Sequence, residues 1–214
     1  MKYRHIVWDW NGTLLNDGHA SADAVDKMLK RRNLGELSYQ DYQERITFPV
    51  IKLYYESGFD FINETYEDMC DEFILNYKAN KPMITLQRDV HEVLGCLKKK
   101  GARQHIVSAS EYRILVQQIE EYGLFEYFDI ILGQMDHKAE SKLHLATRLI
   151  QETQCNPHEV LFIGDTIHDF EVARDAGFDC FLVSNGHCSR NRLHQTNAPV
   201  YTSLRDLVET IEVF

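Results

Sequence analysis

The sequence of 214 residues predicts an α/β fold, a doubly wound parallel sheet that carries a small inserted all-helical cap domain. Two observations support this prediction. Short apolar runs alternate with helical patterns along most of the chain, whereas residues 17–82 contain helical patterns only. The length suits a core domain with a smaller insertion. We therefore expect residues 1–16 and 83–214 to form the α/β core and residues 17–82 to form the cap.

Five short runs rich in Val, Ile and Phe predict the strands of the sheet. These runs are residues 5–10, 104–110, 128–133, 160–165 and 180–186. The segments between them space apolar residues three and four apart, and most of them close on a glycine, as at Gly101, Gly123 and Gly177. Such spacing is typical of amphipathic helices, and glycine is typical of the helix C-terminus. This alternation predicts a parallel sheet with helices on both faces.

The predicted cap holds four helical patterns and no strand pattern. One of them begins near Pro49, which suits a first helical turn, and ends at Gly58. In the pattern that follows, Tyr66, Phe73 and Tyr77 fall on one face of the predicted helix. The cap is therefore expected to be a small helical bundle inserted between the first and second strands of the core.

Composition excludes several classes of protein. The formal net charge of -10 provides no basic surface for nucleic acid, and no segment approaches the roughly 20 apolar residues of a membrane span. The five cysteines are scattered without a C-x-x-C pair, which argues against a disulfide framework and a zinc site. We expect a soluble, cytoplasmic monomer or homodimer that binds a small molecule.

Polar side chains follow several of the predicted strands or open the next helix. In an open parallel sheet, ligands bind beyond the carboxyl ends of the strands. Each of these side chains alone would fit a helix cap or a solvated helix residue, but their common placement favours a site. They are Asp9, Asn11, Ser108, Lys142, Asp165 and Asp169.

The types of these residues suit phosphoryl chemistry. Asp9 and Asp165 supply the hard oxygen ligands that Mg²⁺ prefers. Ser108 supplies a hydrogen-bond donor and Lys142 a positive charge. Transfer of a phosphoryl group requires positioning and neutralisation of negative charge, and this set can provide both.

The stretches "DWNGTLLND", "HIVSAS" and "GDTIHD", together with Lys142, resemble the four motifs of the haloacid dehalogenase superfamily in order and spacing. The helical stretch 17–82 resembles the cap of its phosphoglycolate phosphatase-like branch. The resemblance covers essentially the whole chain. It implies a Rossmann-like core and Mg²⁺-dependent hydrolysis of a small phosphorylated metabolite, a phosphate monoester such as phosphoglycolate.

The same resemblance implies a role for each of these residues. Asp9 is the nucleophile that forms an aspartyl-phosphate intermediate. Asp9 and Asp165 bind Mg²⁺ through their side chains and Asn11 through its backbone carbonyl, with Asp169 in or next to the ligand set. The phosphoryl oxygens are held by Ser108 with the adjacent Ala109, and Lys142 balances the charge of Asp9 and phosphate.

Two further assignments concern lysines and the cap. Lys138 is the rival for the role of Lys142, and we prefer Lys142 because it opens an amphipathic helical pattern. Four cap residues are expected to face the cleft and select the substrate, with Arg45 and Lys52 as binding residues. The four are Arg45, Phe48, Lys52 and Tyr55.

Asn11 departs from the family pattern, in which this position is an aspartate that protonates the leaving alcohol and then activates water. An amide has no usable acid proton at neutral pH. Four explanations stay open. The protein is a slow phosphatase that suits substrates with good leaving groups, such as acyl or aryl phosphates, or Asn11 is an engineered replacement of an aspartate. Alternatively, the protein is a phosphonoacetaldehyde-type carbon–phosphorus hydrolase with a Schiff base on Lys52, or it binds a phosphate compound without catalysis. The carbon–phosphorus hydrolases read "DWAGT" and so resemble this chain in lacking the acid. Phosphate ester hydrolysis is favoured because the other site residues all remain.

Overall fold

The computed structural model describes residues 2–136, 138 and 141–211, and it confirms the predicted fold class. The strands are β1 (His5–Trp8), β2 (Leu15–Asn16), β3 (Thr85–Leu86), β4 (Arg103–Glu111), β5 (Ile130–Gln134), β6 (Val160–Gly164), β7 (Asp179–Val183) and β8 (Val200–Tyr201). Six of them form one parallel sheet in the order β5-β4-β1-β6-β7-β8, and β2 and β3 pair antiparallel as a separate ribbon. The short edge strand β8 was not predicted from the sequence.

Helices cover both faces of the six-stranded sheet. Alternate side chains of β1 point to opposite faces, so Ile6 and Trp8 pack in one apolar cluster and Val7 packs in another. The core helices are α5 (Val90–Lys99), α6 (Tyr112–Glu121), α7 (Leu143–Thr153), α8 (Ile167–Ala176), α9 (Arg190–Leu193) and α10 (Leu204–Thr210). The first cluster includes residues of α5, α6 and α10, and the second includes residues of α7 and α8.

Four helices between β2 and β3 form a unit with an apolar cluster of its own. Met28, Leu53 and Met69 are fully buried at its centre. We propose the bounds 17–82 for this cap. Its helices are α1 (Gly18–Arg31), α2 (Tyr39–Arg45), α3 (Ile51–Glu56) and α4 (Tyr66–Ala79). No helix among the described residues is long and apolar enough to cross a lipid bilayer.

The cap is joined to the core by a ribbon and by hydrogen bonds. The chain enters the cap after β2 and returns through β3, and these strands pair at Leu15 and Leu86. On the opposite side, the Gly186 carbonyl of the core accepts hydrogen bonds from Tyr39 Oη at 2.9 Å and from Gln43 Nε2 at 2.8 Å. The cap therefore lies over the carboxyl ends of the central strands and is held there by the β2–β3 ribbon and by the hydrogen bonds to Gly186.

Candidate active site

Asp9 lies immediately after β1, between the ends of the two strands that flank it. Its backbone N–H donates to the Ile163 carbonyl of β6 at 2.9 Å, so the sheet ladder continues through this residue. The carboxyl group is buried, with 6% of the residue exposed. Thr13, in the loop that follows, donates to Asp165 Oδ1 at 2.9 Å, and its Oγ1 lies 3.4 Å from Asp9 Oδ2. The loop thereby links the acidic residues at the ends of β1 and β6.

Lys142 lies directly before α7 and points back to the sheet edge. Its ammonium contacts Asp9 Oδ1 and lies 2.6 Å from Asp169 Oδ1. It is buried, with 2% of the residue exposed. The rival Lys138 is half-buried elsewhere, with its Nζ 3.9 Å from Glu67 Oε1. The structure therefore places Lys142, rather than Lys138, beside Asp9.

Three buried carboxylates converge at this edge of the sheet. Asp9, Asp165 and Asp169 each offer an oxygen, and the three oxygens lie within 4.8 Å of one another. The chain makes room for Asp165 with glycines: a Cβ at Gly12 or at Gly186 would collide with its carboxylate. Gly12 also has a φ of +79°, which disfavours other residues. Sequence reasoning did not give either glycine a role in the site.

Burial and neighbouring charges shift the pKa values of the three carboxyl groups. Burial raises the pKa of Asp9 well above its usual range and raises the pKa of Asp165 to about 6. Burial acts in the same direction on Asp169, but the Lys142 ammonium outweighs it and lowers the pKa of that carboxyl. Three acidic side chains thus share the Lys142 ammonium, and a further cation would favour their charged forms.

The carboxyl-terminal part of β4 brings two serines to the same edge of the sheet. Ser108 is buried, with 1% of the residue exposed, and its Oγ accepts a hydrogen bond from Ser110 N at 3.1 Å. Ser110 Oγ in turn donates to Asn11 Oδ1 at 2.5 Å. Ser108, Ala109 and Asn11 all line the cavity described below. The structure therefore brings Ser108 and Ala109, predicted to hold the phosphoryl oxygens, next to the loop that follows Asp9.

Asp17, between β2 and α1, is a site residue that sequence reasoning missed. It is 1% exposed, and its Oδ2 accepts hydrogen bonds from Asn11 Nδ2 at 2.7 Å and from Tyr77 Oη at 2.8 Å. Its Oδ1 accepts from Gly12 N at 2.9 Å and lies 3.1 Å from His187 Nε2. Asp17 therefore joins the Asp9 loop, the cap helix α4 and the loop after β7.

His187 is the partner of Asp17 and was also missed. Its backbone N–H donates to Asp165 Oδ2 at 2.6 Å, and its Nδ1 lies 2.9 Å from Tyr42 Oη of the cap. Burial lowers the pKa of this imidazole, but the charge of Asp17 outweighs burial and raises the pKa to about 9. Burial raises the pKa of Asp17, but His187 outweighs it and the net shift is downward. The two form a buried ion pair at neutral pH.

A cavity of about 1040 Å³, including its open mouth, lies between cap and core above Asp9. Lys142, Asp169 and Phe48 are among the residues that line it. Asp165 lies behind this surface, within the carboxylate cluster.

Three cap residues do not reach this cavity, contrary to the expectation that they face it. Lys52 and Tyr55 are exposed on α3, and Arg45 Nη2 donates to Ser57 Oγ within the cap at 2.7 Å. None of the three is among the lining residues, so we correct their assignment to the cleft and the assignment of Arg45 and Lys52 to substrate binding. Helical spacing alone did not show which side of α3 faces the core. The position of Lys52 gives no support to a Schiff-base mechanism.

Comparison with known proteins gives the family. The model of the haloacid dehalogenase-like hydrolase family matches residues 6–183, so the chain belongs to this family. A phosphoglycolate phosphatase of Nitrosospira multiformis is 27% identical over 191 residues, covering 85% of this chain and 83% of the relative. A pyrophosphatase, PpaX, of Bacillus velezensis is 26% identical over 178 residues, covering 80% of this chain and 79% of the relative.

A solved structure agrees with the fold. The crystal structure of a predicted phosphatase from Clostridium acetobutylicum superposes with a TM-score of 0.85 at 20% sequence identity, and 99% of each chain is covered. With the curated relatives and the family match, the comparisons support a hydrolase of the phosphatase type, in the phosphoglycolate phosphatase-like branch.

Proposed function

We propose that this protein is an Mg²⁺-dependent phosphatase that hydrolyses a small phosphate monoester through an aspartyl-phosphate intermediate on Asp9. The observation that carries the proposal is the contact of a buried Asp9 carboxylate with the Lys142 ammonium at the edge of a three-carboxylate cluster. Ser108 lies on the wall of the same cavity and supplies a hydroxyl group. This arrangement combines a nucleophile, a fixed positive charge and a hydrogen-bond donor.

The residues present fit a magnesium ion. Their donor atoms are carboxylate oxygens, three of which lie within 4.8 Å of one another, and Mg²⁺ prefers oxygen ligands. The side chains of Asp9, Asp165 and Asp169 and the backbone carbonyl of Asn11 would hold it. When bound, the ion supplies neutralisation of the phosphate charge.

Asp9, Lys142 and Ser108 then have separate roles in the transfer of the phosphoryl group. Asp9 attacks phosphorus, and the bond between phosphorus and the ester oxygen breaks as the aspartyl phosphate forms. Lys142 and Ser108 hold the phosphoryl oxygens during this displacement. A water molecule next attacks phosphorus and releases inorganic phosphate, which restores the Asp9 carboxylate.

Asn11 limits the rate of this reaction because it cannot move a proton. Its Nδ2 is held by Asp17 and its Oδ1 by Ser110, so the amide is fixed in place. Loss of a positioned acid or base typically costs about 10²- to 10⁴-fold in rate. We therefore expect turnover that is slow for a phosphatase but well above the uncatalysed reaction.

A phosphate-release assay tests the proposal. We expect the purified protein to hydrolyse p-nitrophenyl phosphate with Mg²⁺ and to lose this activity in excess chelator. Asp9→Asn should abolish the activity. The matched control Asp129→Asn, at the opposite end of the sheet where Asp129 pairs with Arg103, should retain it. Phosphoglycolate and pyrophosphate, which the names of the relatives suggest, belong in the same substrate panel. Activity in Asp9→Asn, or none with any substrate, would contradict the proposal.

A further inference from the structure

The proposed function leaves the alcohol part of the substrate open, and the inference drawn here rests on that function. We propose that the substrate is an aryl phosphate, in which phosphate is esterified to an uncharged, flat, aromatic alcohol. Two independent features of the cavity carry this proposal. Among the described residues, Asp17, His187 and Glu111 near Asn11 are engaged in other hydrogen bonds, and the cap residues that line the cavity include aromatic rings but no lysine or arginine.

The carboxylate nearest to Asn11 is fully occupied. Asp17 accepts hydrogen bonds from Asn11 Nδ2, Gly12 N and Tyr77 Oη at 2.7 to 2.9 Å, and His187 Nε2 lies 3.1 Å from it. Two carboxylate oxygens have about four acceptor positions, and four donors fill them. Asp17 therefore has no hydroxyl group to direct at a substrate.

Two further ionisable side chains near this point, His187 and Glu111, are engaged as well. The ring nitrogens of His187 face Asp17 and Tyr42, so neither points at Asp9. The carboxylate of Glu111 accepts hydrogen bonds from Arg113 N at 3.2 Å and Ile114 N at 3.3 Å, and it thereby caps α6. The leaving oxygen must depart without a proton from these groups.

A departure of this kind favours a weakly basic leaving group. A phenol, like the tyrosine side chain, ionises with a pKa of about 10, whereas an alkyl alcohol is a much weaker acid. In the proposed step, Asp9 forms a bond to phosphorus as the bond to the aryl oxygen breaks. The phenolate keeps the electron pair and takes its proton from solvent after release.

Part of the cavity wall is aromatic. Phe48, Tyr54 and Phe73 of the cap all line the cavity, and Phe48 lies against His168 of the core with ring centroids 5.2 Å apart and planes 18° apart. His168 follows the β6 loop and precedes Asp169, so this stacked pair stands beside the carboxylate cluster. A flat aromatic group fits such a wall by stacking.

Charges in the cavity disfavour an anionic leaving group. Among the described residues that line it, Lys142 is the one lysine or arginine, and it is held by Asp9 and Asp169. The charged His187 is held by Asp17, while Arg45 and Lys52 lie outside the cavity. A substrate carboxylate or second phosphate would be desolvated without a free cation, which is costly.

Three substrates of similar size separate these effects. Phenyl and benzyl phosphate are both uncharged in the leaving group but differ in its basicity, whereas phosphoglycolate carries a carboxylate. With Mg²⁺ at neutral pH, we expect kcat/KM for phenyl phosphate to exceed that for benzyl phosphate by about 100-fold or more, the scale of a missing general acid. Phosphoglycolate should be slower than phenyl phosphate by at least as much. Asn11→Asp should reduce the phenyl-to-benzyl ratio by about tenfold or more.

A variant of the aromatic wall tests the second feature. Phe48→Ala should raise KM for phenyl phosphate about three- to tenfold, the value of an aromatic contact, and leave KM for phosphoglycolate unchanged. Phe125→Ala is the matched control, since Phe125 is 53% exposed and lies outside the cavity. Equal rates with phenyl and benzyl phosphate, or a faster reaction with phosphoglycolate, would overturn this inference alone. No phosphate from any of the three would overturn the proposed function as well.

Discussion

Asn11 and Asp17 form a hydrogen bond of 2.7 Å, in which the amide Nδ2 donates to the buried carboxylate Oδ2. An aspartate at residue 11 would place a second carboxylate beside that of Asp17, where the Asn11 amide now lies. The amide is therefore suited to its neighbour, and the acid expected from the family pattern would be disfavoured here unless it kept a proton. The hydrogen bond with Asp17 therefore favours an amide, and not an ionised carboxylate, at residue 11.

The first prediction concerns the stability of Asn11→Asp. Because two carboxylates would meet within hydrogen-bond distance, we expect the variant to lose about 1–3 kcal/mol of unfolding free energy at pH 8. Two like charges at this distance disfavour full ionisation, so a proton shared by the two carboxyl groups of the variant at pH 5 should make the loss smaller there. Urea unfolding at both pH values measures this.

Asp17→Asn provides the matching half of a double-mutant cycle. Combined with Asn11→Asp, it restores one donor and one acceptor, and the double variant should be more stable than the sum of the two single losses predicts. Strictly additive losses would show that the two side chains do not interact.

A second prediction concerns the buried ammonium. Lys142→Met should abolish phosphatase activity and lower the unfolding free energy at pH 7 by about 3–5 kcal/mol, because Asp9 and Asp169 lose their buried partner. Lys138→Met is the matched control, since Lys138 lies outside the site. It should change stability by less than about 0.5 kcal/mol and keep the activity. Loss of activity in both variants would contradict the assignment of the catalytic role to Lys142 alone.

The ion pair of His187 with Asp17 predicts a pH-dependent stability. The folded-state pKa of His187 is raised from 6.5 to about 9, so its contribution is fully present below pH 6.5 and is lost as the pH rises through 9. We expect the wild type to lose about 3 kcal/mol over this window relative to His187→Gln, at 1.36 kcal/mol for each pKa unit. Urea unfolding of both proteins in chelator at pH 6, 7.5 and 9.5 measures the difference. Parallel curves would contradict the ion pair.

The glycines beside Asp165 predict an effect on magnesium binding. A Cβ at Gly186 would collide with the Asp165 carboxylate and displace it. Gly186→Ala should therefore weaken Mg²⁺ binding, measured by titration calorimetry, by about tenfold or more. Gly95→Ala is the control because a Cβ there meets only Tyr127 Cε1 at 3.9 Å. Unchanged affinity in Gly186→Ala would place the ion away from Asp165.

Much of the fold and part of the site could be predicted because they follow from local patterns. Apolar runs end at Asp9, Ser108 and Asp165, and the carboxyl ends of β1, β4 and β6 are neighbours in a parallel sheet. Lys142 could be placed because it directly precedes an amphipathic helix. Each of these assignments needs only the position of a residue within its own element.

The remaining site residues depend on how distant elements pack. Asp17 and His187 are 170 positions apart in the chain and meet only because the cap docks on the loop after β7. In sequence, Asp17 is simply an acidic residue before a helix, and nothing local indicates that it is buried. For the same reason, Arg45 and Lys52 could be placed on cap helices but not on the side that faces the cavity.

Trapping of the intermediate tests the central claim, that Asp9 is the nucleophile, most directly. Since Asn11 cannot activate water, breakdown of the aspartyl phosphate is slow and the intermediate should accumulate with an aryl phosphate. Acid quench of the Mg²⁺-loaded protein during turnover of phenyl phosphate, followed by peptide mass spectrometry, should show one phosphoryl group on the peptide that contains Asp9. The Asp9→Asn variant should show neither this label nor phosphate release. A label on another residue, or continued turnover in Asp9→Asn, would contradict the account.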